Sequence, residues 1–154
     1  MKIVEQLPEY IRTLIPYEPG KPIEEVEREY GIANSTKLAS NENPLGPSPK
    51  ALAAIRAKLD ELHLYPDGDC FYLKNGLAKK LGVAPDELIF GNGSNEIIEL
   101  AVRAFMRPGD QAVMARQAFV VYQLIVQAVG GRSVQVALRE FTHDLSAIAD
   151  AVNA

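Results

Sequence analysis

The chain has 154 residues, 47% hydrophobic and 23% charged, with a net charge of −4. That is enough length for one domain with a core and an ordinary composition for a soluble globular protein, and the acidic balance argues against nucleic acid and anionic membranes as partners. One cysteine, Cys70, excludes a disulfide framework and fits a reducing compartment, and no apolar run approaches membrane-spanning length. Met1–Gln6 lacks the uninterrupted apolar stretch of a secretion signal. There is no internal repeat and no low-complexity tract.

Residues 1–39 read as an arm followed by a connector. Leu7-Pro8-Glu9-Tyr10-Ile11 predicts a short helix with Pro8 in its first turn. Two prolines and a glycine keep Tyr17–Pro22 out of regular structure. Glu24 to Tyr30 predicts a short acidic helix stopped by Gly31, and Lys37–Ser40 a short extended segment. Asn41–Pro49 is a polar loop that three prolines stiffen, so its side chains are held at low entropic cost. Ser48 is expected to cap a helix with Pro49 in first position and Leu52, Ile55, Leu59 and Leu62 on its apolar face. His63–Asp69 is a turn with an exposed aromatic, Tyr65. Leu73, Leu77 and Leu81 mark the next helix, which Gly82 stops.

Leu88-Ile89-Phe90 is expected to be a strand. It runs into Gly91-Asn92-Gly93 and then into a helix whose stripe is Ile97, Ile98, Ala101, Val102 and Phe105. The glycines permit tight or left-handed backbone and close approach of a ligand. The first helical turn offers unpaired N–H groups at the positive end of the dipole, an anion socket for which phosphate is the usual occupant. A plain capped turn, with Ser94 as N-cap and Glu96 in the first turn, is the competing reading. A dinucleotide fingerprint would want a third glycine where Glu96 stands, and no Gly-Lys-Ser/Thr follows, which disfavours a nucleotide-binding domain.

Further on, Gln111–Ala115 is expected to be a strand. A helix should run through Tyr122, Leu124, Ile125, Ala128 and Val129, closed by Gly130-Gly131. Ser133–Leu138 alternates as a strand, and Asp144–Val152 predicts a last helix with Leu145, Ile148, Ala149 and Val152 on one face. Strands alternating with helices of about ten residues indicate an α/β domain with a mainly parallel sheet and flanking helices.

Several of these stretches together resemble the histidinol-phosphate aminotransferases. They are Leu38–Pro49, Tyr65-Pro66-Asp67, Gly91–Glu96, Arg103-Ala104-Phe105 with Pro108-Gly109-Asp110, Gln117-x-Phe119-x-x-Tyr122 and Gly130-Gly131. The likeness runs in order from about Tyr17 to the last residue. It implies a fold-type I enzyme using pyridoxal 5'-phosphate, homodimeric and cytoplasmic, with residues 1–39 an arm that joins the small domain and residues 40–154 the first part of the cofactor-binding large domain. The implied reaction converts histidinol phosphate, a phosphorylated amino alcohol, and 2-oxoglutarate, a 2-oxo acid, into imidazole acetol phosphate and glutamate in histidine biosynthesis. No metal, nucleic acid or membrane is implied.

The resemblance also implies roles. Backbone N–H groups of Ser94 and Asn95, opened by Gly93, would hold the cofactor phosphate. Phe119 would stack on the cofactor ring, at a position where many members have Tyr. Tyr65 would reach the phosphate of the neighbouring subunit's cofactor. Asn41 would lie in an active-site loop, and Tyr17 near the substrate entrance. The lysine that carries the cofactor covalently lies downstream in the family, as do an Arg for the substrate carboxylate and an Asp for the pyridine nitrogen. Ser35-Thr36-Lys37 has the wrong context and is expected to be a solvent-exposed lysine. The chain is therefore expected to be the N-terminal part, less than half, of such an enzyme and inactive alone, with exposed apolar faces and unpaired sheet edges. Competing readings are a related aminotransferase, a decarboxylase acting on phosphothreonine, or a truncated module that binds a phosphorylated ligand or a partner chain without catalysis.

Overall fold

Pro8 sets the start of the first helix, because its ring fixes φ and it sits where an N–H would have no helical partner. A 3-10 turn at Ile3–Gln6 precedes it, and α1 (Glu9–Arg12) is one turn long. The structure is a computed structural model that describes residues 3–152, so the first two residues of the Met1–Gln6 stretch lie outside the described residues, and the last helix, expected to reach Val152, ends at Asp150. The chain divides into two units, one formed by the chain up to Tyr17 with the chain from Ile89 onward, the other by Glu18–Leu88.

Within the unit Glu18–Leu88, α2 (Ile23–Tyr30) ends on Gly31 at φ 64, whose N–H donates to the Glu27 carbonyl. The Glu29 carboxylate pairs with Lys21 and holds its ammonium above the ordinary lysine range. Glu27 accepts from the Ser35 N–H at 2.9 Å and from its hydroxyl at 3.2 Å, tying the following segment back to the helix. Lys37–Ser40 forms no strand. Helix α3 (Pro49–Arg56) has Pro49 at its first position and Ser48 at the N-cap, but the Ser48 hydroxyl makes no capping bond. It stops before Leu59 and Leu62, which stand in and after a separate 3-10 turn (Leu59–Glu61) and are 51% and 75% exposed. With no surface to cover that face, burial does not extend the helix. Helix α4 (Phe71–Leu81) ends on Gly82 at φ 71 as the sequence predicts.

In the other unit, α5 (Ser94–Phe105) leads to β1 (Gln111–Ala115), α6 (Val120–Ala128), β2 (Arg132–Val136) and α7 (Leu145–Asp150). β1 and β2 pair in parallel, Gln111 against Arg132 through Ala115 against Val136, with α6 as the crossover. The α/β class with parallel strands is as the sequence indicates. Gly109 donates to the Gly130 carbonyl and Arg132 to that of Asp110, both at 2.8 Å, so the turn Pro108-Gly109-Asp110 is fastened to the start of β2. Leu88–Phe90, expected to be a strand, has no ladder partner among the described residues. The Asp144 side chain caps α7 by accepting from Ala147 N–H at 3.0 Å.

Candidate functional site

The stretch Gly91–Glu96 is built by two glycines with separate tasks. Gly93 is the N-cap of α5 at φ 82, ψ 177, a conformation that side chains of L residues rarely adopt. Ser94, weighed as an N-cap from sequence, is instead the first residue of the helix, because only glycine holds the preceding position without strain. Gly93 N–H donates to the Gly91 carbonyl at 2.9 Å, which closes the turn. Gly91 has an ordinary φ, but a Cβ there would stand 2.8 Å from Glu96 Oε2 and 2.9 Å from Ile97 Cδ1. The Glu96 carboxylate has folded back over the turn, where it accepts from the Asn92 backbone N–H and, at 3.0 Å, from Asn92 Nδ2.

Gly93 has no side chain to cap the helix, and no side-chain cap bond is made there. The first-turn N–H groups of Ser94 and Asn95 are therefore left without the usual intrahelical or capping acceptor. With the helix dipole behind them they form a donor pair suited to an anion such as a phosphate. A capping box would return the Glu96 carboxylate to the Gly93 N–H, whereas here it reaches Asn92, one residue earlier, so that spacing alone does not give the bond.

Phe119 is the N-cap of α6 and is 46% exposed. Its ring meets Tyr17 edge to face, centroids 5.9 Å apart at 80°. The structure thus brings Tyr17 and Phe119 together in the unit that also holds Gly93, Ser94 and Asn95. The Tyr17–Phe119 contact, between residues about a hundred positions apart, had no signal in the sequence. About half of Phe119 is exposed, and an apolar aromatic ring suits a flat conjugated ring.

Tyr65 and Asn41 belong to the other unit. Tyr65 is fully exposed at 101%. The turn it stands in is held by Asp67, whose carboxylate accepts from Asp69 N–H at 3.0 Å and from Phe71 N–H at 2.8 Å. The loop Asn41–Pro49 is shaped by Asn43 rather than Asn41. Asn43 Oδ1 accepts from Leu45 N–H and its Nδ2 donates to the Gly46 carbonyl, both at 3.1 Å. Asn41 is exposed. Lys37, expected to be solvent-exposed, has an 18% exposed side chain that pairs with Glu42 at 3.5 Å.

No lysine occurs between Ile89 and the last residue, so the segment with the α5 socket carries no side-chain amine of its own. Among the described residues no group of three or more His, Cys, Asp or Glu is arranged to hold a metal. No helix among them is long and apolar enough to cross a membrane.

The family model for aminotransferase class I and II matches residues 33–154. Histidinol-phosphate aminotransferase 2 of Nitrosospira multiformis is 51% identical over 154 residues, which cover 99% of this chain and 39% of that protein. The histidinol-phosphate aminotransferase of Moorella thermoacetica is 51% identical over 144 residues, 94% of this chain and 37% of that one. Among solved structures, the histidinol-phosphate aminotransferase of Sinorhizobium meliloti in complex with pyridoxal-5'-phosphate matches with a TM-score of 0.83 and 27% identity, over 95% of this chain and 39% of that chain. The chain spans about two fifths of the length of the curated relatives it matches.

Proposed function

We propose, for a chain that belongs to the aminotransferase class I and II family, that it is the part of a pyridoxal-phosphate-dependent aminotransferase that grips the cofactor phosphate and faces the cofactor ring. The reaction we assign to the whole enzyme is transfer of the amino group of histidinol phosphate to 2-oxoglutarate, as in histidine biosynthesis. The relatives' names support histidinol phosphate as the amino donor. The observation that carries this chain's own part is the α5 N-terminus, where Gly93 at φ 82 leaves the Ser94 and Asn95 amides without a side-chain cap.

The residues present fit the group. Ser94 and Asn95 N–H would donate to the phosphate, each such charge-assisted bond contributing ~1.5–3 kcal/mol. Phe119 would lie against the ring and keep water from that face, with Tyr17 bracing it edge-on. When bound, pyridoxal 5'-phosphate supplies an electron sink for the carbon that gains or loses the amino group. The amine that attaches the cofactor has no counterpart among residues 89–154, so these residues bind and orient but do not themselves move the proton. Asn41 is assigned to the active-site loop and Tyr17 to the substrate entrance. Residues 1–39 are assigned to an arm and connector of the small domain, and residues 40–154 to the first part of the large domain. We place the enzyme in the cytoplasm as a homodimer, with Tyr65 reaching the partner's cofactor phosphate. Its full exposure within this chain supports that placement.

The experiment is to join these 154 residues to the remainder of the Nitrosospira multiformis relative and assay the hybrid with histidinol phosphate and 2-oxoglutarate. Turnover is expected. A folded hybrid that binds the cofactor but transfers from a different amino donor would overturn the substrate assignment. One that does not bind the cofactor would overturn the socket.

A further inference from the structure

Resting on the reading of the α5 N-terminus as a phosphate socket, we propose that Glu96 is a positioning residue for the phosphate, acting through Asn92 and not through the ligand. Its carboxylate accepts from the Asn92 backbone N–H and, at 3.0 Å, from Nδ2, and so pins the middle of the Gly91–Gly93 turn. Gly91 is what makes this possible, because a Cβ at that position would stand 2.8 Å from Glu96 Oε2. The bond also occupies the Asn92 backbone N–H, so the backbone donors left to an anion are those of Ser94 and Asn95. A carboxylate in the first turn lies on the favourable end of the helix dipole, which favours Glu96 in this place.

The geometry separates two roles that sequence merges. Gly93 is needed for its own backbone angle, whereas Gly91 is needed to admit the returning Glu96. Without the Glu96 acceptor, the turn would sample other conformations, and phosphate binding would have to restore one. The expected loss is about tenfold in affinity, the cost of fixing the backbone of one more residue.

The test measures affinities of the hybrid apoenzyme for pyridoxal 5'-phosphate and for pyridoxal, which lacks the phosphate. Glu96→Ala is expected to weaken binding of the phosphorylated cofactor about tenfold while leaving pyridoxal unchanged. Glu96→Gln keeps an acceptor oxygen at the same reach and should restore binding to within about twofold of the parent. Should Glu96→Ala fail to fold, Glu96→Asp keeps the charge, withdraws the carboxylate from Asn92 and should show the same selective loss. Equal losses for both ligands would make Glu96 a merely structural residue, and no loss for either would make it idle. Loss in Glu96→Gln as great as in Glu96→Ala would assign the role to charge and also overturn the proposal. Gly93→Val keeps the two readings distinguishable. If it selectively weakens the phosphorylated ligand while Glu96→Ala does not, the socket stands and the role of Glu96 falls. If it does not, the socket itself falls.

Discussion

Gly93 and Gly68 make opposite demands on their positions. Gly93 sits at φ 82, where an L side chain costs of order 1–3 kcal/mol in backbone strain, at the point where a phosphate would approach. Gly93→Val should therefore weaken cofactor binding in the hybrid enzyme by about tenfold or more, read by titration of the apoenzyme. Unchanged affinity would remove Gly91–Asn95 from the phosphate site. Gly68 has open space around the missing Cβ and no left-handed φ. Gly68→Ala should be neutral or stabilising by up to about 1 kcal/mol in denaturant unfolding, because it restrains only the unfolded chain. The sequence context marks Gly93 as part of a phosphate-type turn, and its backbone angle shows why glycine is required there and not at position 68.

At the scale of elements, caps decide more than stripes do. Asp144 caps α7 with one side-chain bond to Ala147 N–H, so Asp144→Ala should cost about 0.5–2 kcal/mol in urea unfolding, and Asp144→Ser should recover most of it. No change in Asp144→Ala would mean that α7 is held by packing alone. The stops at Gly31 and Gly82 were legible, because a glycine after an amphipathic run is the common left-handed helix end. β1 was legible to the residue, as a short apolar run between a Pro-Gly-Asp turn and Arg116. The left-handed N-cap at Cys70 was not, nor was the turn at Glu140-Phe141, where φ is 50 and 60. Neither place has the Gly or Asn that usually signals such angles. The stripe of α5 was readable, but its cover was not. Phe105 lies on the predicted face and is 86% exposed, since periodicity names the face and tertiary context supplies what packs on it. The same limit applies at the candidate site. Gly93, Ser94 and Asn95 could be read from a local pattern, whereas the meeting of Tyr17 with Phe119 depends on how distant segments fold together.

Across the whole molecule, few apolar side chains are removed from water. The buried apolar residues among those described are Ala78, Ala115, Val121 and Val126, and the paired strands are two. A parallel pair is normally covered on both faces and flanked by further strands, so the 154 residues by themselves should bind a hydrophobic dye and self-associate, measured by dye fluorescence and sedimentation. A dye-silent monomer would count against exposed faces. They should also show no transaminase activity, because the residues from Ile89 onward offer no lysine to the socket. Borohydride reduction after adding pyridoxal phosphate, followed by peptide mapping, checks this, and a specific adduct on one lysine together with turnover would refute it. Tyr65 belongs to this scale as well. None of the described residues covers it, and the Asp67 carboxylate ties the turn that follows it to Asp69 and Phe71. If its hydroxyl donates to the partner's cofactor phosphate, Tyr65→Phe removes one charge-assisted bond and keeps the ring, a loss of ~1.5–3 kcal/mol in cofactor affinity. Mixed dimers of the hybrid enzyme assign the effect to a subunit. In one arrangement the subunit that keeps its cofactor-linking lysine has Tyr65 intact, and its lysine-deficient partner carries Tyr65→Phe. The lysine-bearing site should then hold its cofactor less tightly. In the reverse arrangement, with Tyr65→Phe on the lysine-bearing subunit, affinity at that site should be unchanged. The opposite pattern would return Tyr65 to its own subunit's turn and remove it from the interface.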